Sequence, residues 1–211
     1  MSTRSSRPND STPRGQLAAL LVYDLSKALH ADRQLVDAFP KLARAAHDDR
    51  LRKLCREGME FTEERIDRLN RVFELLGTEP RVRASPAMKG LIRNALNAAS
   101  IGFEGTMRDA AMLDAILKIS HLGRAGYWMV CAYAEALGDP KIKSILMQSL
   151  KEKEEAIEEM MSMVEGDIVP RIQREDRSQV VRNVVPRARR ARSRNGRVST
   201  RPHRAQQRRS A

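Results

Sequence analysis

The sequence predicts an all-α protein built around a four-helix bundle, and three observations support this fold class. Aromatic residues make up only 4% of the chain, whereas Ala, Leu, Met, Glu and Arg are plentiful, and this composition favours helices over sheets. Four long segments carry apolar residues at intervals of three and four, the repeat of a helix with one buried face. The 211 residues are enough for one domain with a hydrophobic core and polar extensions.

Two apolar stripes and their end signals predict the first hairpin of the bundle. The first helix covers residues 17–46, and Pro40 is expected to bend its last turns. The second helix begins near Asp48, a favourable N-cap residue, and ends at Leu76, where Gly77 provides the stop. Because the connection between these helices is short, we expect them to be antiparallel neighbours.

The second hairpin follows after a long connection. Its first helix covers about residues 107–137 and is apolar on more than one side, which predicts the most buried helix of the bundle. The last helix begins at Asp139-Pro140, with proline at the first helical position, and its apolar stripe extends to Ile168. The connection, residues 78–106, contains a predicted short helix at 86–99. Two hairpins joined by one long crossover describe the ferritin-like variety of four-helix bundle.

The positive charge of the chain is concentrated at its two ends. The whole chain carries a net charge of +12. Residues 171–211 contain fourteen Arg against one Glu and one Asp, a net +12, and residues 1–16 contribute +2. The remaining residues, 17–170, therefore carry −2 and form the predicted bundle domain. We expect both ends to be disordered tails, since neither carries a packing pattern.

Several classes of protein are disfavoured by what the sequence lacks. Cys55 and Cys131 lie on helical stripes, not in a disulfide framework, which favours a reducing cytoplasm. No run approaches the roughly 18 apolar residues that a membrane span needs, and the first residues do not resemble a secretory signal. Phosphate-binding loops and common catalytic motifs are also missing. We therefore expect a cytoplasmic protein without membrane association, not an enzyme, and without catalytic or cofactor-binding residues.

Three charged residues stand on otherwise apolar helical stripes. They are Asp32 in the first helix, Arg65 in the second and Lys153 in the fourth. A lone buried charge costs several kcal/mol, so the pattern predicts a core ion pair between Asp32 and one of the two cations near the bundle centre. The alternative is that Arg65 and Lys153 lie at the stripe edges and extend their charged ends to solvent.

Several segments resemble the bacterial YciE/YciF-type family of ferritin-like proteins, and the resemblance covers about residues 17–165. The most specific pieces are RDAA, the AMxGLI element and the helix end VFELLG. The resembling segments are YDLSKALHADRQLVDAFPKLARAA, RLNRVFELLG, SPAMKGLI, MRDAAMLDAILKISH and YAEALG. The resemblance implies a dimer-forming helical bundle associated with stress responses, without an established biochemical activity.

Ferritin-like bundles usually hold two metal ions between their helices, and the resemblance implies where the ligands would stand. The family pattern AEKQL reads ADRQL here, so Asp32 stands at a glutamate position. HLEET reads GMEFT, which places Phe61 at a carboxylate position and Arg65 at the following His or Gln. EHYE reads SHLG, so Ser120 and Gly123 stand at two glutamate positions.

In the fourth helix EEK reads EKE, so Lys153 stands at the position of an acid. The remnant metal candidates are Asp32, Glu60, His121 and Glu152. Because the losses fall on three of four helices, the comparison predicts a degenerate dimetal site without a cofactor. The alternative is weak binding of iron or manganese. His121 is interpreted either as a residual ligand or, more simply, as a hydrogen-bonded structural histidine.

The arginine-rich segment PRARRARSRNGR is the main functional feature outside the bundle. Its side chains can neutralise phosphates of DNA, RNA or another polyanion, with salt-sensitive and sequence-tolerant affinity. The alternative is a solubilising tail without a target. The candidate nucleic-acid contacts are Arg187, Arg189, Arg190, Arg192, Arg194 and Arg197.

Three functions remain open at this point. The favoured one is a non-enzymatic, stress-associated structural or interaction module, forming a homodimer and contacting nucleic acid or another polyanion through residues 171–211. The second is a bundle with residual iron or manganese binding and an oxidative-protection role. The third is a DNA-compacting protein in which the bundle serves as the dimerising part.

Overall fold

A computed structural model of the chain describes residues 11–81 and 83–178. The described residues contain no strand, which confirms the all-α class. They form five α-helices, namely α1 (Pro13–Ala45), α2 (Asp49–Leu76), α3 (Pro86–Ala98), α4 (Gly105–Ala136) and α5 (Pro140–Met163). A π-helical turn, Val164–Ile168, follows α5 directly. None of the helices described is both long enough and apolar enough to cross a membrane.

The four long helices form a closed ring of neighbours. Helix α1 packs mainly on α2, and α4 packs mainly on α5, as the two predicted hairpins require. The hairpins meet where α1 contacts α4 and where α2 contacts α5, while α3 lies against α4 and α1. This arrangement confirms the predicted two-hairpin bundle with one long crossover that contains a short helix.

The start of α1 lies outside the predicted limits. The helix begins at Pro13 because the Thr12 side chain accepts a hydrogen bond from the backbone N–H of Gly15 at 3.1 Å. The guanidinium of Arg14 donates to the carbonyl oxygen of Leu137 at 2.6 Å, which joins the start of α1 to the end of α4. Residues 13–16 therefore belong to the bundle, although they were predicted to lie in the N-terminal tail.

The other predicted end signals are confirmed. Asp48 accepts the backbone N–H of Arg50 at 2.7 Å before α2, and Asp139 accepts that of Ile142 at 3.0 Å before α5. Gly77 ends α2 with a φ of +62°, a left-handed conformation that glycine adopts at little cost.

The end of the bundle lies close to the predicted boundary at residue 170. The chain divides into one unit that ends at Arg171 and a second that begins at Ile172. The guanidinium of Arg171 lies 2.6 Å from the Asp48 carboxylate and 2.7 Å from that of Asp167, so this arginine belongs to the bundle. Within the second unit, residues 172–178 are helical, whereas the sequence predicted no regular structure there.

The main hydrophobic core lies between the N-terminal half of α1, the C-terminal halves of α2 and α4, and the first turns of α5. Its members are buried Leu, Ile, Val and aromatic side chains together with Cys131 and Ala134. They are Leu21, Leu25, Leu29, Leu69, Val72, Phe73, Tyr127, Val130, Cys131, Ala134, Ile142, Leu146 and Leu150. Tyr127 joins this core to the charged residues described below.

An aspartate of α4 holds the connection between α1 and α2. Asp109 is fully buried, and its two carboxylate oxygens accept the backbone N–H groups of His47 at 2.8 Å and Asp48 at 2.7 Å. These N–H groups precede α2 and would otherwise need another acceptor. Asp109 belongs to the RDAA segment, for which the sequence predicted no structural role.

We predict that Asp109→Ala lowers the free energy of unfolding by about 2–4 kcal/mol, because two N–H groups lose a charged acceptor in a buried position. Urea denaturation of the two variants Asp109→Ala and Asp114→Ala measures the difference. Asp114 is a matched control because it is exposed on the same helix and pairs with exposed Lys118. Its removal should change stability by less than about 0.5 kcal/mol, and equal losses in the two variants would contradict the proposed role of Asp109.

Candidate functional site at the bundle centre

Four side chains, one from each long helix, converge at the centre of the bundle. They are Asp32 of α1, Arg65 of α2, Tyr127 of α4 and Lys153 of α5, here called the central cluster. Their relative exposures are 3%, 5%, 2% and 6%. The three charged residues predicted from the stripes are therefore all buried, and neither cation extends into solvent.

Asp32 is the shared acceptor of the central cluster. The hydroxyl of Tyr127 donates to its Oδ2 atom at 2.7 Å. Nε of Arg65 lies 3.7 Å from the same oxygen, within the usual ion-pair limit but beyond hydrogen-bond distance. Nε is consequently a buried donor without a hydrogen-bond acceptor among the described residues. The Asp32–Arg65 pair thus has the placement that the helical stripes predicted, with incomplete hydrogen bonding.

The other end of Arg65 is held by its own helix. Its Nη2 atom donates to Oγ1 of Thr62 at 2.5 Å, and the Thr62 hydroxyl in turn donates to the carbonyl oxygen of Gly58 at 2.5 Å. Thr62 is fully buried. The guanidinium is therefore fixed between the backbone of α2 and the carboxylate of α1.

Lys153 lies on the opposite side of the cluster and is less well paired. Its Nζ atom is 5.4 Å from the centroid of the Tyr127 ring, a cation–π distance. A Cβ atom at Gly123 would lie only 2.9 Å from this Nζ, so the missing side chain at position 123 makes room for the lysine. No described residue forms a hydrogen bond or an ion pair with the Lys153 ammonium.

The electrostatic environment lowers the pKa of Lys153 but leaves this side chain mostly charged at pH 7. Burial and the neighbouring Arg65 lower the pKa of Lys153 to about 8, although Asp32 and Glu152 oppose this change. Burial, together with the charge of Asp32, raises the pKa of Tyr127 well above its ordinary value, so its hydroxyl remains a donor. Because pH 7 lies below its pKa of about 8, Lys153 is mainly the charged ammonium at that pH.

A second ion pair lies beside the central cluster and joins α2 to α5. The guanidinium of Arg68 pairs with the carboxylate of Glu152, and its Nε atom donates to Oγ of Ser149 at 3.1 Å. Arg68 also lies 3.7 Å from Glu64 on its own helix. Arg68 was not among the residues predicted to lie at the bundle centre. Arg68 follows Arg65 by three residues, which places both on one side of α2. This spacing is the sequence signal that could have placed Arg68 near the bundle centre.

The four remnant metal candidates do not form a common ligand set. Glu60 and His121 are exposed, Asp32 is engaged by the central cluster, and Glu152 pairs with Arg68. Among residues 11–81 and 83–178, no three His, Cys, Asp or Glu side chains are grouped as metal ligands. A dimetal centre needs several anionic oxygen ligands directed at one point. The residues present here place two cations at that point instead, and they do not fit such a centre.

His121 was predicted to be a hydrogen-bonded structural histidine, and the structure does not place it so. Its side chain lies on the exposed face of α4 and forms no hydrogen bond with any described residue. The neighbouring Leu122 is exposed as well. The prediction was wrong because His121 lies on the outer face of α4, away from the groups with which it could bond.

Two cavities between the described helices bear on the chemistry of the bundle. The larger, about 430 Å³, is bounded by α1 and α2, and Cys55 lies in its wall. Burial and the nearby Asp109 raise the pKa of Cys55 to about 12, and burial raises that of Cys131 to about 11, so neither thiol is an activated nucleophile. The smaller cavity, about 70 Å³, lies beside the central cluster, with Arg65 and Lys153 in its wall.

The candidate nucleic-acid contacts of the C-terminal tail lie outside the described residues. They are Arg187, Arg189, Arg190, Arg192, Arg194 and Arg197. The geometry of the bundle thus neither places them nor bears on their role.

Comparison with known proteins identifies the family. The DUF892 family, whose description is a domain of unknown function, matches residues 16–173. The chain belongs to this family. Protein YciF of Escherichia coli (strain K12) is 30% identical to it over 138 residues, which cover 64% of this chain and 81% of YciF.

Two solved structures resemble this DUF892 chain. The crystal structure of the Escherichia coli stress protein YciF superposes with a TM-score of 0.71 at 27% identity, covering 74% of this chain and 98% of YciF. YcfI of Rhodopseudomonas palustris, a proposed structural protein, superposes with a TM-score of 0.68 at 29% identity and the same coverage of 74% and 98%. The DUF892 bundle therefore accounts for nearly the whole length of both structures.

We predict that Lys153 makes the stability of this DUF892 bundle depend on alkaline pH. Its pKa is lowered from an ordinary value of 10.5 to about 8 in the folded protein. Between these values the unfolded chain binds more protons than the folded one, so the contribution of Lys153 to the free energy of unfolding increases with pH. The full increase corresponds to about 3 kcal/mol at most.

The Lys153→Met variant should lose this dependence and be more stable than wild type at pH 7, because no charge is then buried at this position. Denaturation midpoints of wild type and variant at pH 7 and pH 10 measure the effect. Lys151→Met is the control, since Lys151 is exposed on the same helix and pairs with Glu155 at 3.5 Å. A stability difference between wild type and Lys153→Met that is the same at both pH values would contradict the prediction.

Proposed function

We propose that this protein is a non-enzymatic DUF892 bundle in which side-chain ions replace the dimetal site of ferritin-like proteins. The observation that carries this proposal is the position of Arg65 and Lys153, two buried cations that face Asp32 from two other helices. A metal ion would add positive charge to a cluster that already has an excess of it. Since buried like charges repel strongly at low dielectric, the cluster and a dimetal centre exclude each other.

We further propose a stress-associated structural or interaction role in the cytoplasm. One relative is named as a stress protein and another as a proposed structural protein, which supports this direction. The two free, buried thiols are compatible with a reducing compartment. A homodimer is part of the proposal, and apolar side chains exposed on the outer faces of α4 and α5 support it. They are Leu122, Trp128, Met129, Met147 and Met161.

We also propose that residues 179–211 contact nucleic acid or another polyanion. The support is compositional, because eleven of the fourteen arginines after residue 170 lie in this segment and no acidic residue does. Such a segment binds phosphates through counterion release, without reading base sequence. This contact is auxiliary to the role of the bundle.

Metal analysis tests the proposal about the bundle centre. Protein purified without chelator should contain far less than one iron or manganese ion per chain, whereas an intact site would hold about two. The triple variant Arg65→His, Gly123→Glu, Lys153→Glu is the matched control, because it returns ligand types of the family pattern to three positions. An iron or manganese content near two ions per wild-type chain would overturn the proposal in favour of a metal-dependent protective role.

A truncation after Ser178 tests the tail. This cut keeps Arg171, whose ion pairs with Asp48 and Asp167 belong to the bundle. In a mobility-shift assay across a range of salt concentrations, the full chain should bind DNA or RNA most strongly at low salt, and the truncated chain should lose this binding. Circular dichroism checks that the bundle stays folded. Binding that survives truncation would remove the tail from the function.

A further inference from the structure

The smaller cavity contains a buried cation without an acceptor. Lys153 is in its wall, carries three N–H donors, and bonds none of them to a described residue. Arg65 is also in the wall, and its Nε atom is likewise an unpaired donor. Unlike the Lys153 ammonium, this Nε is enclosed by protein atoms. The accessible donor in this cavity is therefore the Lys153 ammonium.

The acids around the cavity form no direct ion pair with this ammonium, although Asp32 and Glu152 stabilise its charge from a distance. Asp32 already accepts from Tyr127 and pairs with Arg65, while Glu152 is held by Arg68. Glu57 and Glu159 also contribute to the wall, but Glu57 pairs with Lys53 at 3.2 Å and Glu159 is exposed. The Lys153 ammonium is consequently the buried cation of this wall that has no ion-pair partner among the described residues.

The rest of the cavity wall is largely apolar. Ser120 is the polar residue on the α4 side, and its hydroxyl can donate one further hydrogen bond. The apolar side chains are Phe39, Leu54, Phe61, Ile116, Ala156 and Met160. The space of about 70 Å³ next to Lys153 is large enough for several ligand atoms.

We propose that this cavity binds one short-chain monocarboxylate, with its carboxylate on the Lys153 ammonium and its hydrocarbon part against the apolar wall. The ligand would supply the acceptor that Lys153 lacks and balance the charge of the central cluster. The inference rests on the proposed replacement of metals by side-chain ions, and it is independent of dimerisation and of the basic tail.

The charge state of Lys153 makes the binding depend on pH. The charged or titratable groups facing it are Asp32 from α1, Arg65 from α2, Tyr127 from α4 and Glu152 from its own helix. Because the ammonium is the binding form and its pKa lies near 8, affinity for the carboxylate should fall as the pH rises above 8.

Titration with ¹³C-labelled acetate tests the inference on the full chain at pH 7, with parallel titrations of chloride and sulfate at the same ionic strengths. Saturation-transfer NMR and isothermal titration calorimetry should show one acetate per chain, and the thermal midpoint should rise with acetate concentration. Lys153→Met should lower the affinity by about tenfold or more, as expected when a charged partner is lost. Lys151→Met, at an exposed position of the same helix, should bind like wild type.

Ser120→Glu provides a second variant that does not remove the lysine. Its own carboxylate should occupy the cavity, abolish acetate binding and raise the thermal midpoint in the absence of acetate. No acetate binding to wild type, equal binding to Lys153→Met, or equal stabilisation by chloride or sulfate would each overturn the inference. Metal content measured on the same samples separates the two proposals. If wild type binds no acetate and contains no metal, only this inference is overturned. If it contains two metal ions per chain, both proposals are overturned.

Discussion

The charge of Asp32 is the constraint on which the interior of this bundle depends. Two cations from two helices are buried within one region, and each would cost several kcal/mol without an opposite charge nearby. Asp32 is the one carboxylate of the central cluster, and at 3.7 Å from Arg65 its attraction is about 4 kcal/mol at a dielectric constant typical of proteins. The hydroxyl of Tyr127 keeps this carboxylate in place. Since the four residues come from four helices, the cluster also sets the position of one hairpin against the other.

Such a cluster is a poor means of gaining stability. Well-packed apolar residues in the same positions are often as stable as a buried ion pair or more so. Here the pairing is also incomplete, because Arg65 has an unbonded Nε and Lys153 has no protein acceptor among the described residues. The charges therefore point to a role of the bundle centre other than holding the helices together. A place for a small anion meets that requirement, since it uses the donors that folding leaves unpaired.

The sequence predicted the helices and the burial of the central charges because both follow from angular position on a helix. A repeat of three and four residues placed Asp32, Arg65 and Lys153 on buried stripes, and each proved buried. Partners across the bundle were harder to predict. Tyr127 was not predicted as a member of the central cluster, although its hydroxyl donates a hydrogen bond to Asp32. Asp109 depends on the approach of residues 47–48 to α4, which no local pattern of α4 indicates.

The metal candidates show a different limit of sequence reasoning. Transferring ligand positions from a family pattern assumes that each residue keeps the orientation of the ligand it replaces. Consecutive residues on a helix point about 100° apart. If one helix buries a neighbouring residue in place of the ligand, the ligand side chain no longer points to the metal position. In α2, Thr62 is buried while Phe61 is 45% exposed, and Glu60 faces solvent with it. The buried stripe of α2 thus passes through Thr62 and Arg65, and not through Phe61.

Gly123 and Lys153 show that a buried lysine at this place depends on a small residue opposite it. Nζ of Lys153 occupies space that is free only because position 123 lacks a side chain, with 2.9 Å between Nζ and an idealised Cβ. A glutamate at position 123 would require the Lys153 side chain to move. Substitutions at positions 123 and 153 are therefore expected to affect each other. The short residues at positions 120 and 123 leave space beside the central cluster, and the long side chain of Lys153 fills part of that space. What remains is a cavity whose wall carries charges of both signs, and the Lys153 ammonium is the buried one among them without an ion-pair partner in the described residues.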